Sequence, residues 1–267
     1  MKIYSHNIWN YNPHGFGYEP LWQRMKLISE LIFEADADVC MFQECGPFTC
    51  RVGEGAIQKL LEEKYSEVCP DKADVNYTPV FYKKEKFDLV DSGWVLYEGF
   101  NDGNSKSITW AVLQDKVALK KTAVLSTHFW WKFDTKEDFN QRIENALQLK
   151  NLCDEIYNKY GTGAIIGGDF NNGFGADQGD EPYRKMLDMG FGDIRLSADV
   201  TTNCLTHHDL PVIDDKGVFQ KGNMPTRTLD HIFTYHSVAK ALKFGVLTSD
   251  KALTSSDHCP LIGEFDL

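Results

Sequence analysis

Residues 163–172 read GAIIGGDFNN, an apolar run that passes through two glycines and ends on polar side chains. A short apolar run bounded by glycine is typical of a buried strand. The alternation of a strand predicts Asp169 and Asn171 on one face, with Phe170 and Asn172 on the other. The first two are then either turn residues that end the strand or one wall of a functional site. The second interpretation also explains the glycines, because residues without a Cβ leave room for a bulky anion.

Five other stretches show the same pattern, in which an apolar run borders polar residues of the kind that bind ligands. They are HNI at 6–8, FQE at 42–44, STH at 126–128, LDHIF at 229–233 and SDH at 256–258. Functional sites are often built where the strands of a rigid sheet end. Each stretch alone is also typical of an ordinary turn, a helix cap or a buried histidine. Six of them spread across the chain favour a shared site.

Apolar periodicity around these stretches predicts a layered α/β chain. Strands are predicted at 2–9, 38–42, 77–83, 87–97, 108–113, 123–127, 164–168, 229–235, 242–247 and 260–265. Helices are predicted at 21–34, 55–64, 138–159 and 181–189, the third with an apolar stripe of Ile143, Leu147, Cys153 and Ile156. Residues 200–228 are polar and predict a loop. Because no linker or repeat divides the chain, one domain is predicted over 1–267.

Taken together, the six stretches resemble the endonuclease/exonuclease/phosphatase superfamily of DNase I-like phosphoesterases. They fall in that family's order and span residues 7 to 258, nearly the whole chain. The resemblance implies a four-layer α/β sandwich, in which two packed mixed β-sheets are flanked by helices. It also implies hydrolysis of a phosphate ester assisted by a divalent metal, Mg²⁺ or alternatively Mn²⁺.

The resemblance places the metal on Glu44, with Asn7 beside it and Asp257 completing an acidic pocket. Mg²⁺ is a hard cation that prefers oxygen ligands and keeps several waters, and these side chains offer oxygen atoms. A bound metal would polarise a phosphoryl oxygen and neutralise charge that develops on the phosphate. An exposed glutamate at a strand end, without any ligand, is the plainer alternative for Glu44 taken alone.

The remaining motif residues take catalytic roles by the same resemblance. His258 would act as the general base on the attacking water, since imidazole titrates near neutral pH, and Asp230 would fix its tautomer. Asp169 would orient the nucleophile or handle the proton of the leaving group, and which carboxylate performs which task stays open. Asn171 and His128 would form hydrogen bonds to phosphate oxygens in the transition state.

Two further side chains are predicted to contact substrate. Arg142 lies near the start of the predicted 138–159 helix, and Trp130 belongs to the aromatic segment FWWKF at 129–133. A solvated helix arginine and an aromatic ring packed at the edge of the sandwich are the alternatives. A metal role for the adjacent His207 and His208 is disfavoured, because neighbouring residues on a strand point to opposite faces.

Charge and cysteine content restrict the partners and the compartment. The net charge of −11 and the lack of a dense Lys/Arg cluster argue against strong binding to duplex DNA, although a bound metal can still attract a phosphate ester. The seven cysteines form no Cys-x-x-Cys pair, which favours buried thiols in a reducing compartment. The first ten residues lack the apolar stretch of a signal peptide, and no apolar run is long enough to predict a membrane span. A cytoplasmic protein is therefore expected.

Three functions remain open on these observations. The first, which is preferred, is a phosphodiesterase or nuclease that acts on a small or single-stranded substrate. The second is a phosphatase of a phosphorylated small molecule or lipid head group. The third is a binding module that retains the fold without catalysis, which the complete set of catalytic residue types disfavours.

Overall fold

The computed structural model describes residues 1–68, 76–173, 180–209, 211–236 and 239–267, apart from the side chain of Asp180. Over these residues the strands are β1 Lys2–Asn7, β2 Val39–Gln43, β3 Tyr65–Val68, β4 Val80–Lys83, β5 Phe87–Leu96, β6 Ser107–Asp115, β7 Lys121–His128, β8 Ala164–Asp169, β9 Gly192–Asp193, β10 Val200–Thr201, β11 Asp230–Tyr235, β12 Lys240–Val246 and β13 Leu261–Asp266. The helices are α1 Glu19–Ala35, α2 Pro47–Cys50, α3 Ile57–Leu61, α4 Lys136–Tyr160, α5 Asp180–Asp188, α6 Ile194–Ser197 and α7 Asp250–Ser255. Cys69, one of the seven predicted thiols, lies outside the described residues.

The strands form two mixed sheets, as the resemblance implies. The first sheet has the order β10-β12-β13-β1-β2-β4-β3, and the second has the order β5-β6-β7-β8-β11-β9. In the first sheet β1 is parallel to β2 and antiparallel to β13. In the second sheet β7 is parallel to β8, and β11 is antiparallel to β8. The carboxyl ends of β1 and β2 therefore share an edge with the amino end of β13, and β7, β8 and β11 meet in the same way.

Apolar side chains fill three layers around these sheets. Inward positions such as Ile3, Val124 and Ile165 pack between the two sheets. The outer face of the second sheet packs against α4 and α5, and the outer face of the first sheet packs against α1, α3 and α7. The order helix, sheet, sheet, helix confirms the predicted four-layer sandwich. Because the central strands are buried on both faces, they read as continuous apolar runs rather than as alternating patterns.

Helix α4 differs from its prediction in the face that it buries. The predicted members Ile143 and Leu147 are only half-buried, whereas Ala146 and Leu149 are buried against the second sheet. At 3.6 residues per turn, Ala146 and Leu149 lie on the same helix face as Cys153 and Ile156, the two correctly predicted members of the stripe. The first turns of this buried face carry polar side chains, so the apolar pattern alone does not mark it.

Short elements account for the other differences from the prediction. The helix expected at 55–64 is confined to α3, and α7 has no counterpart among the predicted elements. Helix α7 begins after Ser249, whose hydroxyl accepts a hydrogen bond from the backbone N–H of Ala252. A helix of six residues is too short to show a clear apolar period. Strands β9 and β10 have two residues each and are defined by pairing with β11 and β12.

The two glycines of β8 are explained by packing within the fold. A Cβ atom at Gly167 would lie 2.7 Å from the Met41 sulfur and the Ser5 hydroxyl oxygen, which belong to the first sheet. A Cβ atom at Gly168 would lie 2.4 Å from the backbone oxygen of Thr127 in the neighbouring strand β7. Both positions therefore require glycine for close approach of other parts of the chain. The expectation that these glycines leave room for an anion is wrong.

The substitution Gly168→Ala is expected to lower the free energy of unfolding by about 2 kcal/mol or more, as overpacking of a core commonly does. Gly167→Ala is the matched control and is expected to cost less, because the obstructing atoms there are side-chain atoms that can move. Urea denaturation of both variants measures the difference. An equal or larger loss in Gly167→Ala would contradict the explanation based on the Thr127 backbone.

Candidate active site

The ends of six strands bring polar side chains together in the gap between the two sheets. In β1, β7 and β8 the residues four positions earlier, Ile3, Val124 and Ile165, pack in the apolar layer between the sheets. In β11 the residue two positions after Asp230, Ile232, does the same, so strand alternation turns the polar side chains inward as well. Asn7 ends β1, His128 ends β7 and Asp169 ends β8, while Asp230 begins β11. Asp230 lies directly opposite Asp169 in the strand pairing, and His128 lies beside Asp169. All four side chains are buried.

A cavity of about 510 Å³ opens over these strand ends. Six of the ten predicted site residues line it, namely Glu44, His128, Asp169, Asn171, Asp257 and His258. Asn7 and Asp230 lie beneath the lining and contact it through hydrogen bonds. Arg142 and Trp130 are not part of the lining. The structure therefore places eight of the ten predicted residues in one contiguous group.

His258 lies between two carboxylates. Its Nδ1 is 2.8 Å from Oδ2 of Asp230, and its Nε2 is 3.8 Å from Oδ2 of Asp169. Asp230 Oδ2 also accepts a hydrogen bond of 2.6 Å from the hydroxyl of Thr206. Asp230 thus holds the inner nitrogen of the ring and fixes its orientation, while the outer nitrogen faces the cavity. This is the arrangement that a general base requires.

Charge interactions set the protonation of this trio. Burial opposes a charged imidazole, but the carboxylates of Asp230 and Asp169 raise the pKa of His258 well above its usual value. Burial likewise opposes a charged Asp230, yet the adjacent His258 lowers the pKa of that carboxyl group. For Asp169, burial and the charge of Asp230 together raise the pKa to about 7. The three groups therefore influence one another's protonation and titrate as a unit.

Glu44 and Asp257 form a carboxylate wall of the cavity. Burial is the main reason that the pKa of Asp257 is raised, and the nearby charge of Glu44 adds to the shift. A cation between two neighbouring carboxylates offsets the repulsion between their charges, and their oxygen atoms suit a hard divalent ion. The residue types at this wall therefore fit the implied metal.

Asn7 binds this wall as a hydrogen-bond donor. Its Nδ2 donates to Oε1 of Glu44 at 3.2 Å and to Oδ2 of Asp169 at 2.9 Å. Its Oδ1, the atom suited to a metal, accepts from the backbone N–H of Trp9 at 3.0 Å. Asn7 therefore links the carboxylate of the predicted metal wall to the carboxylate of the catalytic trio.

Two groups of possible metal ligands share His258. One is Asp169, Asp230 and His258, and the other is His207, Asp257 and His258; in each, the ligand atoms lie within 4.8 Å of one another. His207 faces the cavity, whereas His208 is buried and binds the carbonyl oxygen of Asp209 through its Nδ1. The two neighbouring histidines thus have separate environments, and of the two His207 is the one that lines the cavity.

A turn, rather than continued strand alternation, positions Asn171. The strand ends at Asp169, whose Oδ1 accepts from the backbone N–H of Asn171 at 2.9 Å. Asn171 adopts a left-handed conformation with φ of 50°, which asparagine tolerates better than most residues. Its Nδ2 donates to the carbonyl oxygen of Phe129, and the residue lines the cavity. Asn172 is fully buried away from the cavity, as the sequence predicts.

His128 is accompanied by a buried lysine that the sequence did not single out. The Nζ of Lys106 lies 2.8 Å from Nε2 of His128, and both side chains line the cavity. Burial and the charge of Lys106 hold the pKa of His128 well below its usual value, so the imidazole is neutral. Burial also lowers the pKa of Lys106, although nearby carboxylates oppose this effect. The positive charge of this wall is therefore carried by Lys106 rather than by His128.

The placement of Arg142 corrects both interpretations of that residue. It is fully buried rather than solvated, and it donates to the carbonyl oxygen of Lys132. Its guanidinium carbon also lies 4.8 Å from the ring centre of Phe139. These contacts tie helix α4 to the segment that follows β7. Direct contact with substrate is not compatible with this burial.

Trp130 also packs inside the molecule instead of facing the cavity. Its indole N–H donates to Asp138 of helix α4 at 2.7 Å, and its backbone N–H donates to Asn145 at 3.0 Å. The next residue, Trp131, is exposed and lines the cavity together with Phe133. The aromatic segment therefore does reach the site, but through different members than the predicted one.

The segment 200–228, predicted only as a loop, supplies Thr206 and Arg227, which the sequence does not single out, and His207, for which it disfavours a metal role. Thr206 holds Asp230, while His207 and Arg227 line the cavity and pair with each other in an isolated β-bridge. The ring of His207 also packs edge-on against His258, with 4.7 Å between the ring centres. Because the segment has neither apolar period nor recognisable motif, only its proximity in the fold identifies these side chains.

Arg24 fixes the two backbone segments that flank the site. This buried guanidinium on α1 donates to the carbonyl oxygens of Ile8, Trp9, Tyr11 and Ser255. The first three follow β1, and the fourth precedes the Asp257-His258 pair. Burial lowers the pKa of Arg24 to about 10, so the side chain remains charged at neutral pH. The segment that follows Asn7 and the segment that precedes Asp257 and His258 are therefore anchored to one helix.

No protein-family model and no curated protein matches this chain. None of the helices in the described ranges combines the length and apolar character needed to cross a membrane. The chain is, however, similar to several solved structures.

Several solved structures have the same fold along their whole length. A mannosyl-6-phosphatase of Bacteroides thetaiotaomicron has a TM-score of 0.76 with 22% identity, and the alignment covers 100% of both chains. An endonuclease/exonuclease/phosphatase family protein of the same organism has a TM-score of 0.77 with 22% identity over 99% of this chain and 97% of that one. Truncated TDP2 of Caenorhabditis elegans has a TM-score of 0.68 with 21% identity, covering 100% of this chain and 97% of that one. The fold expected from the six motifs is thereby confirmed.

Proposed function

We propose that this chain, which has the fold of endonuclease/exonuclease/phosphatase family proteins, is a divalent-metal-dependent hydrolase of small phosphate esters. The observation that carries the proposal is the position of His258, which is held by Asp230 and faces a cavity lined by carboxylates and by Lys106. A buried imidazole that is held by a carboxylate can act as a general base that activates a water molecule. A binding module has no need of such an arrangement.

In this proposal His258 accepts a proton from water through Nε2. Because the neighbouring carboxylates raise the pKa of His258, the neutral imidazole that can accept this proton is the minor form at neutral pH, but it is a stronger base than free imidazole. Asp230 holds Nδ1–H and stabilises the imidazolium that forms. The new bond joins the water oxygen to phosphorus while the bond from phosphorus to the leaving oxygen breaks. Asp169, with its pKa near 7, is suited to supply the proton that the leaving oxygen gains.

Glu44 and Asp257 are the residues that would hold Mg²⁺ or Mn²⁺, while Asn7, predicted as a third ligand, holds Glu44 in place through its Nδ2. When bound, such an ion supplies charge neutralisation on the phosphoryl oxygens. The chain's own cation Lys106 and the amide of Asn171 line the same cavity and are placed to bind the phosphate group. His128, which is neutral, positions Lys106 rather than contributing charge.

The cavity favours a small phosphomonoester over a nucleic acid, which changes the order of preference taken from the sequence. A volume of about 510 Å³ matches sites for small molecules. Lys106 and Arg227 are the lysine and arginine side chains of the described lining, too few for a track along a phosphodiester chain. The net charge of −11 points in the same direction. The name of the mannosyl-6-phosphatase of similar fold supports a monoester as well.

Phosphate-ester hydrolysis with Mg²⁺, with Mn²⁺ and with EDTA tests the proposal. The panel contains hexose 6-phosphates, glycerol phosphate, an aryl phosphodiester and a single-stranded oligonucleotide. We expect metal-dependent release of inorganic phosphate from monoesters, with little dependence on salt. Preferred cleavage of the oligonucleotide with a steep salt dependence would favour the phosphodiesterase or nuclease instead. The enzyme proposal fails if no ester is hydrolysed with either metal.

A further inference from the structure

One rim of the cavity has a character that phosphate binding does not explain. Trp131 and Phe133 line it with exposed fractions of 46% and 43%, although large aromatic rings are usually buried further. Asp102, on the loop between β5 and β6, also lines this rim. The indole N–H of Trp131 donates to Oδ2 of Asp102 at 2.5 Å. We call Asp102, Trp131 and Phe133 the aromatic rim.

The aromatic rim is held in place by the residues behind it. Trp131 packs on the buried ring of Trp130, with 6.3 Å between the ring centres, and Trp130 is itself bound to helix α4. The ammonium of Lys132 lies 5.4 Å from the ring centre of Trp131. The hydrogen bond to Asp102 fixes the N–H group, which is the polar group of the indole. A ring fixed on several sides loses little conformational entropy when it binds a ligand.

The rim lies next to the phosphate-binding wall. Lys106 follows Asp102 by four residues along the same loop, and the charge of Asp102 acts on the pKa of Lys106. A phosphate held at Lys106 would therefore have the group esterified to it directed toward the rim or toward Arg227, which also lines the cavity. The rim offers an apolar face and a carboxylate acceptor at the same place.

We infer that the aromatic rim is a subsite for the sugar part of a phosphorylated sugar, an assignment that rests on the proposed function. One face of a hexose ring carries C–H groups and packs on an aromatic ring, while its hydroxyl groups donate to a carboxylate. Asp102 supplies that acceptor beside Trp131. A nucleobase would also stack on Trp131. A nucleic-acid strand, however, would bring further negatively charged phosphates close to the carboxylate of Asp102. The carboxylate therefore favours a neutral, hydroxyl-rich leaving group.

The substitutions Trp131→Ala and Asp102→Asn test the subsite against two substrates. For a hexose 6-phosphate we expect Trp131→Ala to lower kcat/KM about tenfold, mainly through a higher KM, as the loss of one aromatic contact predicts. For ethyl phosphate, which has no ring, the change should stay below about twofold. Asp102→Asn should also raise KM for the hexose 6-phosphate. Agreement between the two variants would show that the effect does not come from misfolding of one of them. Tyr157→Ala, an exposed aromatic residue on α4 outside this cavity, is the matched control.

Calorimetric binding of a hexose 6-phosphate to His258→Ala gives a second measurement that needs no turnover. Adding Trp131→Ala to this variant should weaken binding about tenfold, whereas binding of inorganic phosphate should not change. Equal losses for hexose 6-phosphate and ethyl phosphate would overturn the subsite, as would a loss confined to nucleoside monophosphates. If binding follows these expectations but no ester is hydrolysed, the proposed function fails while the subsite stands.

Discussion

His258→Ala is expected to lower kcat for phosphate-ester hydrolysis by about 10²- to 10⁴-fold, the range that general-base catalysis contributes. Asp230 orients the imidazole of His258 toward the cavity through a contact of 2.8 Å. Among the described histidines that line the cavity, no other ring nitrogen lies this close to a carboxylate oxygen. Because the loss concerns proton transfer, KM should change much less than kcat. Steady-state kinetics with saturating Mg²⁺ or Mn²⁺ give both values.

The matched control for this prediction is His236→Ala. His236 is an exposed histidine that also contacts a carboxylate, Asp154 at 2.9 Å, but it lies outside the catalytic cavity. Its removal should leave kcat within about twofold, as expected for a surface substitution away from the site. A His258→Ala enzyme that retains at least a tenth of the kcat would exclude the imidazole as the general base.

Glu44→Gln is expected to weaken Mn²⁺ binding by at least about tenfold, since even partners outside the coordination shell change metal affinity by 10- to 100-fold. The substitution keeps the shape and one oxygen of the side chain but removes the charge that faces Asp257. Metal-dependent activity should fall in parallel. Titration of the free protein with Mn²⁺, followed by calorimetry, measures the affinity without any turnover.

Glu98→Gln, which changes an exposed glutamate outside the cavity lining, serves as the control for the metal prediction. Its Mn²⁺ affinity should equal that of the unsubstituted chain. If Glu44→Gln also binds Mn²⁺ as tightly as the unsubstituted chain does, Glu44 is not a ligand. The group formed by His207, Asp257 and His258 would then be the stronger site for the ion.

The fold and most of the site were accessible from the sequence for one physical reason. A strand alternates its side chains, so a polar residue that ends an apolar run is placed on a known face at the edge of a sheet. Asn7, His128, Asp169 and Asp230 follow this rule and meet between the sheets. Their motifs therefore indicated both the layered fold and a common site.

Residues outside this pattern could not be predicted in the same way. Lys106 and Thr206 lie outside the regular strand runs, and a lysine or threonine in such a position ordinarily faces solvent. The turn at Asn171 depends on a hydrogen bond to Asp169, which has no signature in apolar periodicity. Arg142 was misjudged because the face of α4 that packs on the loops is polar. Each of these positions is decided by contacts between segments that are distant along the chain.

The position of β1 between β2 and β13 has a consequence for the order in which the candidate site is assembled. The second strand of the chain emerges early and pairs beside the first, but the strand on the other side of β1 is the thirteenth. His258 directly precedes that strand, and its backbone carbonyl is bound by His6 on β1. Loop closure over such a separation is slow compared with local pairing. Asp257 and His258 therefore reach Glu44 only after β13 has paired with β1, so the residues of the candidate site come together late in folding.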